Sequence, residues 1–249
     1  MSVLYIVATP IGNLKDISLR VIEVLKKVDL ILCEDTRVTQ KLLNRFNIKT
    51  KTLSYHQHSR LKKIDYILKI LKEGKNLALV SDAGTPGISD PGNKLISLLV
   101  DKSISQKERN FKTYNEAESR AELKNLLTIT PLPGPSAITA AASISGIAMD
   151  KFLFLGFPPA KKKRRKFFDQ IINSKYPVIF YESPHRIIKT LSELQSLVIS
   201  HKSLVNVVVC RELTKKFETI YRGEIDEVIK EIKKNIIKGE FVVIIEGEK

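Results

Sequence analysis

The sequence has no apolar run long enough to span a bilayer, and no basic region, apolar core and cleavage site precede its first strand-like segment. Neither a membrane protein nor a secretory signal is expected. No GxGxxG follows the first apolar run and no GxxxxGKS/T occurs, so neither a dinucleotide fold nor a P-loop is supported. Cysteine is scarce. Cys33 and Cys210 lie far apart, in or beside apolar runs, and read as buried thiols rather than a disulfide or metal pair. No Cys or His pair has zinc spacing, His56 and His58 standing merely two apart near a loop, so no metal is expected. Reduced thiols and the missing leader both fit a cytoplasmic protein.

What is present suits a globular enzyme or binding protein. The 249 residues are 43% hydrophobic and 28% charged, enough for one large domain or two smaller ones. Lys and Arg number 42 against 27 Asp and Glu, a formal charge of +15. Such a field attracts polyanions, of which nucleic acid is the usual one.

Strand, loop and helix alternate through the first half. Val3 to Ala8, Leu30 to Cys33, Thr52 to Tyr55 and the run closing at Val80 predict strands; Ser18 to Lys27, Val38 to Phe46, Arg60 to Lys72 and Lys94 to Val100 carry helical spacing. The alternation predicts an α/β fold with a parallel sheet covered on both faces. Residues 101–124 are highly charged and read as a polar insertion before a strand at Leu126 to Thr130 and a small-residue helix at Ala137 to Ile144. From about residue 150 the texture changes. Strands at Phe152 to Phe157, Val178 to Tyr181, Val205 to Cys210, Glu218 to Arg222 and Phe241 to Ile245, with helices at Phe167 to Ile172, Arg186 to Leu197 and Glu224 to Ile237, predict a second domain with a mixed sheet. The boundaries expected are 1–148 and 149–249.

Two loops stand out. Leu79 to Gly92 (LVSDAGTPGISDPG) ends a strand with glycines that permit close approach to a ligand, prolines that fix the path, and small polar side chains. Pro131 to Ser136 (PLPGPS) stiffens the entrance to the next helix, whose first N-H groups are donors. At the carboxyl ends of strands such loops form a ligand crevice.

Together with TPIGNL (Thr9 to Leu14), CEDTR (Cys33 to Arg37), FLGFPP (Phe154 to Pro159), FYESPHR (Phe180 to Arg186) and CRELTKKFE (Cys210 to Glu218), these loops resemble the tetrapyrrole methylase superfamily, in order from residue 3 to about residue 246. The chain is most similar to those members that methylate a cytidine 2'-hydroxyl of small-subunit rRNA near the decoding centre. The resemblance implies two α/β domains, S-adenosylmethionine in the cleft between them, and a homodimer. It implies donor contacts at Pro10, at Asp82, Ala83, Gly84 and Thr85, at Ser136 and Ala137, and at Tyr181 and Arg211.

Methyl transfer to a ribose oxygen needs the reactants held about 3 Å apart, and a base can take the departing proton. Candidates at strand ends of the second domain are Glu182, His185, Glu212 and Lys215. The run Lys161, Lys162, Lys163, Arg164, Arg165 and Lys166 repels itself, is expected to stay solvated, and reads as an RNA phosphate-binding element, with Arg37 and Arg186 as further RNA contacts. Arg37 also reads as part of an ion-paired helix start with Glu34 and Asp35, and Glu182 with Arg186, four apart, as a local pair.

The family pattern continues, in many members, into a small helical domain past the last strand that this sequence does not show, and it lacks the 101–124 insertion. The expected partner is small-subunit rRNA or the assembled 30S particle. A tetrapyrrole methyltransferase and a noncatalytic ribosome-assembly factor are the alternatives.

Overall fold

The structure, a computed structural model, describes residues 2–55, 61–90, 92–100, 127–200 and 206–247. His56, His58 and the 101–124 insertion lie outside the described residues. The chain divides into two units, one of residues 1–10 and 14–135, the other of residues 11–13 and 136–249. Among the described residues no helix is long and apolar enough to cross a membrane.

In the first unit β1 (Ser2–Val7), β2 (Leu30–Cys33), β3 (Thr52–Ser54), β4 (Leu77–Val80) and β5 (Leu127–Leu132) form a parallel sheet in the order β3-β2-β4-β1-β5. Every residue of β4 is buried, as a central strand covered on both faces requires. Helices α1 (Leu19–Lys27) and α2 (Thr36–Arg45) bring Val21, Leu25 and Leu43 onto one face with Val7 and Ile31. On the other face α3 (Leu61–Lys72) and α4 (Gly92–Val100) bring Ile64, Ile67, Leu71 and Leu95 against Leu4, Leu32 and Leu79.

Helix starts follow their caps. The Ser18 hydroxyl accepts from the Val21 N-H, and the Asp35 carboxylate from the Arg37 N-H at 2.8 Å, so α2 begins two residues before the apolar pattern that predicts it. Strand β5 runs on through Pro131 and Leu132, which the sequence assigns to a loop. An edge strand tolerates this proline.

The second unit holds β6 (Leu153–Phe154), β7 (Val178–Glu182), β8 (Asn206–Arg211), β9 (Thr219–Glu224) and β10 (Phe241–Ile245) in the order β6-β7-β10-β8-β9. The β6-β7 pair is parallel and the others antiparallel, so the sheet is mixed. Helices α6 (Arg164–Ile172), α7 (Ile187–Ser200) and α8 (Ile225–Lys233) cover one face through Phe167, Phe168, Leu191, Leu194, Val228 and Ile229.

Helix α5 (Ala137–Ile144) covers the other face, where Ile138 and Ala141 pack with Ile11, Ile179, Val208 and Ile244. That packing sets the unit boundary at Pro135 and Ser136, ahead of the expected position at residues 148 and 149. The texture change follows α5, but its buried face belongs with the second sheet.

Strand β6 is two residues long, not the expected Phe152 to Phe157, because Gly156 turns the chain with φ +66° and two prolines follow. Helix α6 begins at Arg164, inside the basic run, three residues earlier than its apolar residues suggest.

Gly134 positions a loop. A Cβ there would lie 2.9 Å from the Ala8 Cβ, closer than carbon atoms pack. Gly134→Ala is expected to push the loop off the end of β1 and to cost about 1–3 kcal/mol. Urea unfolding measures this, and an unaltered midpoint at unaltered slope would contradict the close approach.

Candidate functional site

The carboxyl ends of the first sheet gather the loops after β1, β2, β4 and β5. Thr9 and Gly84 exchange backbone bonds of 2.9 and 3.0 Å, and the Thr9 hydroxyl donates to the Ser81 carbonyl. Thr85 donates to the Pro135 carbonyl at 3.2 Å, joining the two proline and glycine loops singled out from sequence. Gly84 and Gly87 have φ of +79° and +90°, so the path of the long loop needs glycine at both. The Asp90 carboxylate accepts from the Gly87 and Gly92 N-H groups at 2.7 and 2.8 Å, closing the loop onto the start of α4.

Of the first-unit donor residues, Pro10 and Gly84 are buried, Asp82 and Ala83 are exposed and Thr85 is half-buried. The Asp82 Oδ1 accepts the Asp35 N-H at 3.0 Å, tying the ends of β4 and β2.

Carboxylates crowd this edge. Burial raises Glu34, and the nearby Asp82 and Asp90 raise it further. Although Asp82 reaches solvent, partial desolvation of its carboxylate raises it too, the bond from the Asp35 N-H opposing the rise and the Asp35 charge adding to it. Asp35 behaves oppositely: its bonds to Arg37, the shortest 2.6 Å, hold it down at about 2. Arg37 is therefore an exposed residue paired locally at the start of α2, as its ion-pair reading anticipates.

A small cavity beneath the loop is lined by Glu34, Tyr55, Ser81, Pro86 and Asp90. The Tyr55 hydroxyl is buried without a hydrogen-bond partner among the described residues. Tyr55 carried no signal in the sequence beyond closing an apolar strand. Crowded carboxylates in a chain of charge +15 attract a cationic ligand. No group of three or more metal-type ligands occurs among the described residues.

In the second unit Ser136 occupies the cap position of α5 without making a capping bond, and Ala137 opens the helix. Tyr181 lies between Phe154 and Phe157, with ring centroids 5.1 and 5.3 Å away. The Arg211 Nε donates to the Lys238 carbonyl at 2.8 Å. Burial of Cys210 in this sheet pushes its thiol up to about 11, and both cysteines are free.

The four candidate bases fall into distinct surroundings. Lys215 Nζ lies 2.9 Å from both Glu212 Oε1 and Glu240 Oε2. Burial opposes charge on both Glu212 and Lys215, but their mutual bond and the contacts with Glu240 outweigh it, lowering Glu212 and raising Lys215. Lys215 therefore stays protonated at neutral pH and cannot accept a proton, while Glu212, though ionised, has its basicity reduced by the same pairing. Glu212 and Thr214 have φ of +52° and +64°, so the turn carrying them is held in the left-handed region.

Glu182 is buried and fully engaged. Its Oε1 accepts from the Ser183 N-H at 2.8 Å and meets Arg186 Nη2 at 2.9 Å; its Oε2 accepts from the Thr190 hydroxyl at 2.6 Å. His185 has an exposed side chain.

The basic run departs from expectation at one residue. Arg164 is half-buried, its side chain only 11% exposed, with Nε donating to Glu193 at 2.6 Å, Nη1 to the Pro159 carbonyl at 3.0 Å and Nη2 to Thr190 at 2.7 Å. These acceptors satisfy a guanidinium that could not otherwise leave water. Lys161, Lys162, Lys163, Arg165 and Lys166 are exposed. Arg186 is half-buried and holds the Pro158 carbonyl as well as Glu182.

The chain belongs to the tetrapyrrole (corrin/porphyrin) methylase family, which matches residues 3–107 and 111–229. Solved structures of the same fold include diphthine synthase, with TM-score 0.67 and 12% identity over 100% of this chain and 91% of that one. Another is the methyltransferase CobJ, with TM-score 0.64 and 16% identity over 99% and 95%.

Curated relatives called ribosomal RNA small subunit methyltransferase I are more similar. One from Synechocystis sp. is 41% identical over 99% of this chain and 80% of its own length, and one from Bacillus subtilis 40% identical over 99% and 76%. One from Thermotoga maritima is 38% identical over 100% of both chains. Identity at this level over nearly the whole chain groups the protein with these methyltransferases.

Because Glu34 is raised in the folded state, folding favours its protonated form, and the penalty sets in as pH rises through its folded value. Glu34→Gln is therefore expected to raise the thermal midpoint at about pH 7, the gain vanishing toward about pH 4. A destabilised variant at neutral pH would show that the carboxylate is needed by the fold.

Proposed function

We propose that this protein transfers a methyl group from S-adenosylmethionine to the 2'-hydroxyl of a cytidine in small-subunit rRNA, near the decoding centre, acting in the cytoplasm as a homodimer on the assembled or nearly assembled subunit. The observation that carries this reading is identity near 40% over almost the full chain with relatives bearing the small-subunit rRNA methyltransferase name. Exposed cations at Lys161, Lys162, Lys163, Arg165 and Lys166 supply the phosphate attraction that an RNA substrate requires.

S-adenosylmethionine supplies, when bound, a methyl group already activated on a sulfonium. The first unit suits such a cation: Glu34 is pushed up by burial and by Asp82 and Asp90, and Asp82 by partial desolvation and by Asp35, a penalty that a positive ligand relieves. We assign donor binding to Pro10, Asp82, Ala83, Gly84 and Thr85 in the first unit and to Ser136, Ala137, Tyr181 and Arg211 in the second. These residues hold and orient; positioning is the larger part of catalysis here.

The ribose hydroxyl must lose its proton as the new oxygen-carbon bond forms. Among the four candidates Glu182 is fully bonded and Glu212 and Lys215 neutralise each other, so we assign proton acceptance to the exposed His185.

The decisive assay is transfer from labelled S-adenosylmethionine to 30S subunits lacking their own modification, with 2'-O-methyl groups then mapped on the rRNA. One modified cytidine near the decoding centre is the expected result; donor binding without transfer would overturn the substrate, and no donor binding would leave the assembly-factor reading. In the same assay His185→Ala is expected to lower kcat about a hundredfold or more without loss of donor affinity. A change below threefold would remove the dedicated base from the mechanism.

Asp82→Asn keeps the acceptor for the Asp35 N-H and removes only the charge. It is expected to weaken donor binding about tenfold, and Asp82→Ala further. Undiminished titration by both variants in calorimetry would displace the donor site from this loop.

A further inference from the structure

Phe157 is a large aromatic side chain left 52% exposed, four residues before the first lysine of the basic run. A single exposed phenylalanine is ordinary at a protein surface, and Phe217 is more exposed still; what distinguishes Phe157 is how it is held beside the basic run. Its surroundings hold it in a fixed pose. Gly156 turns the chain with φ +66°, its carbonyl accepts the Tyr181 N-H at 2.9 Å, and the Phe157 ring rests on Tyr181 at 5.3 Å and 57°. Tyr181 is in turn backed by Phe154 at 5.1 Å, edge to face.

The segment just after it is clamped by two arginines. Arg186 Nη1 donates to the Pro158 carbonyl and Arg164 Nη1 to the Pro159 carbonyl, each at 3.0 Å. Those arginines are themselves joined, since Thr190 accepts from Arg164 and donates to Glu182, which pairs with Arg186. One connected chain of charged and hydroxyl groups, anchored on the buried Glu182 and Thr190, thus fixes the loop presenting Phe157 and the start of the helix presenting Arg165 and Lys166.

We propose that Phe157 is a stacking platform for an unpaired base of the RNA substrate, whose flanking phosphates lie along Lys161, Lys162, Lys163, Arg165 and Lys166. The inference rests on the RNA reading above and adds a contact to it. An aromatic face beside a row of cations matches the two repeating features of a single strand, a stackable base and a phosphate. A duplex offers the phosphates but keeps its bases inside. Preorganisation by Tyr181 and the arginine clamp limits the entropy lost when the base stacks. Arg164 and Arg186 act as positioning residues, so neither contributes charge to the RNA.

The test is fluorescence anisotropy of the full chain with a labelled single-stranded pyrimidine RNA and with the same sequence as a duplex, at several salt concentrations. Phe157→Leu keeps an apolar side chain without an aromatic face and is expected to bind the single strand about tenfold more weakly at an unaltered salt slope, with duplex binding little affected. Phe157→Trp is expected to restore affinity. Lys161→Glu with Lys162→Glu should instead flatten the salt slope for both RNAs.

Equal single-strand binding by wild type and Phe157→Leu would overturn the platform while leaving the RNA reading intact. An altered sedimentation coefficient for Phe157→Leu would reassign the ring to contact with a second copy of the chain. Absence of any salt-dependent RNA binding by wild type would overturn both readings together.

Discussion

The buried carboxylate of Glu182 is the constraint on which the second unit is arranged. An ion removed from water is stable only when its oxygens are filled, the penalty otherwise being several kcal/mol. The Ser183 amide, Arg186 and Thr190 fill them. Thr190 passes the requirement on, because a hydroxyl donating to a carboxylate presents its lone pairs elsewhere, and Arg164 takes that position. Glu193 then balances Arg164. From one buried charge follow the end of β7, the orientation of α7, the first turn of α6 and the carbonyls at Pro158 and Pro159. A run of like charges can thus begin a helix because the one member drawn partly out of water, Arg164, is neutralised and the others stay exposed.

The first unit works with the opposite sign. Its strand ends bring Glu34, Asp35, Asp82 and Asp90 together on a chain whose overall charge is +15. Arg37 neutralises Asp35, and the Asp35 amide and loop amides serve Asp82 and Asp90. Glu34 is left raised by burial and by its neighbours. Backbone exchange between Thr9 and Gly84 and the close approach of Gly134 to Ala8 hold these loops, so the acidic edge is fixed before any ligand arrives. Such a surface favours a small cation, while the exposed lysines of the second unit favour a polyanion, and a methyl transfer from a sulfonium to RNA calls for both.

Much of the fold was legible because its pattern is local. Alternating apolar runs and amphipathic helices depend on neighbours a few residues apart, and the strands Leu30–Cys33 and Phe241–Ile245 and the helix Ala137–Ile144 have the bounds their periodicity predicts. Errors gathered where a polar or proline residue interrupts an apolar pattern: the capped first turn of α2, Pro131 within β5, the early end of β6 at Gly156. The unit boundary was missed because Ala137–Ile144 packs on strands that lie later in the chain.

By itself the sequence determined the α/β class, the two glycine and proline loops, the ordered motifs of the family and the polyanion-attracting charge, all of which reside in composition or in contiguous residues. Only the tertiary structure decided which charges act outward. Arg164 is indistinguishable from Lys163 or Arg165 in a row of cations, and Glu182 from any carboxylate at a strand end. Their roles come from Glu193 and Thr190, side chains that lie 29 and 8 residues away along the chain and become partners because α7 packs beside β7 and α6. A side chain's charge is written in its own codon, but its partner is chosen by packing.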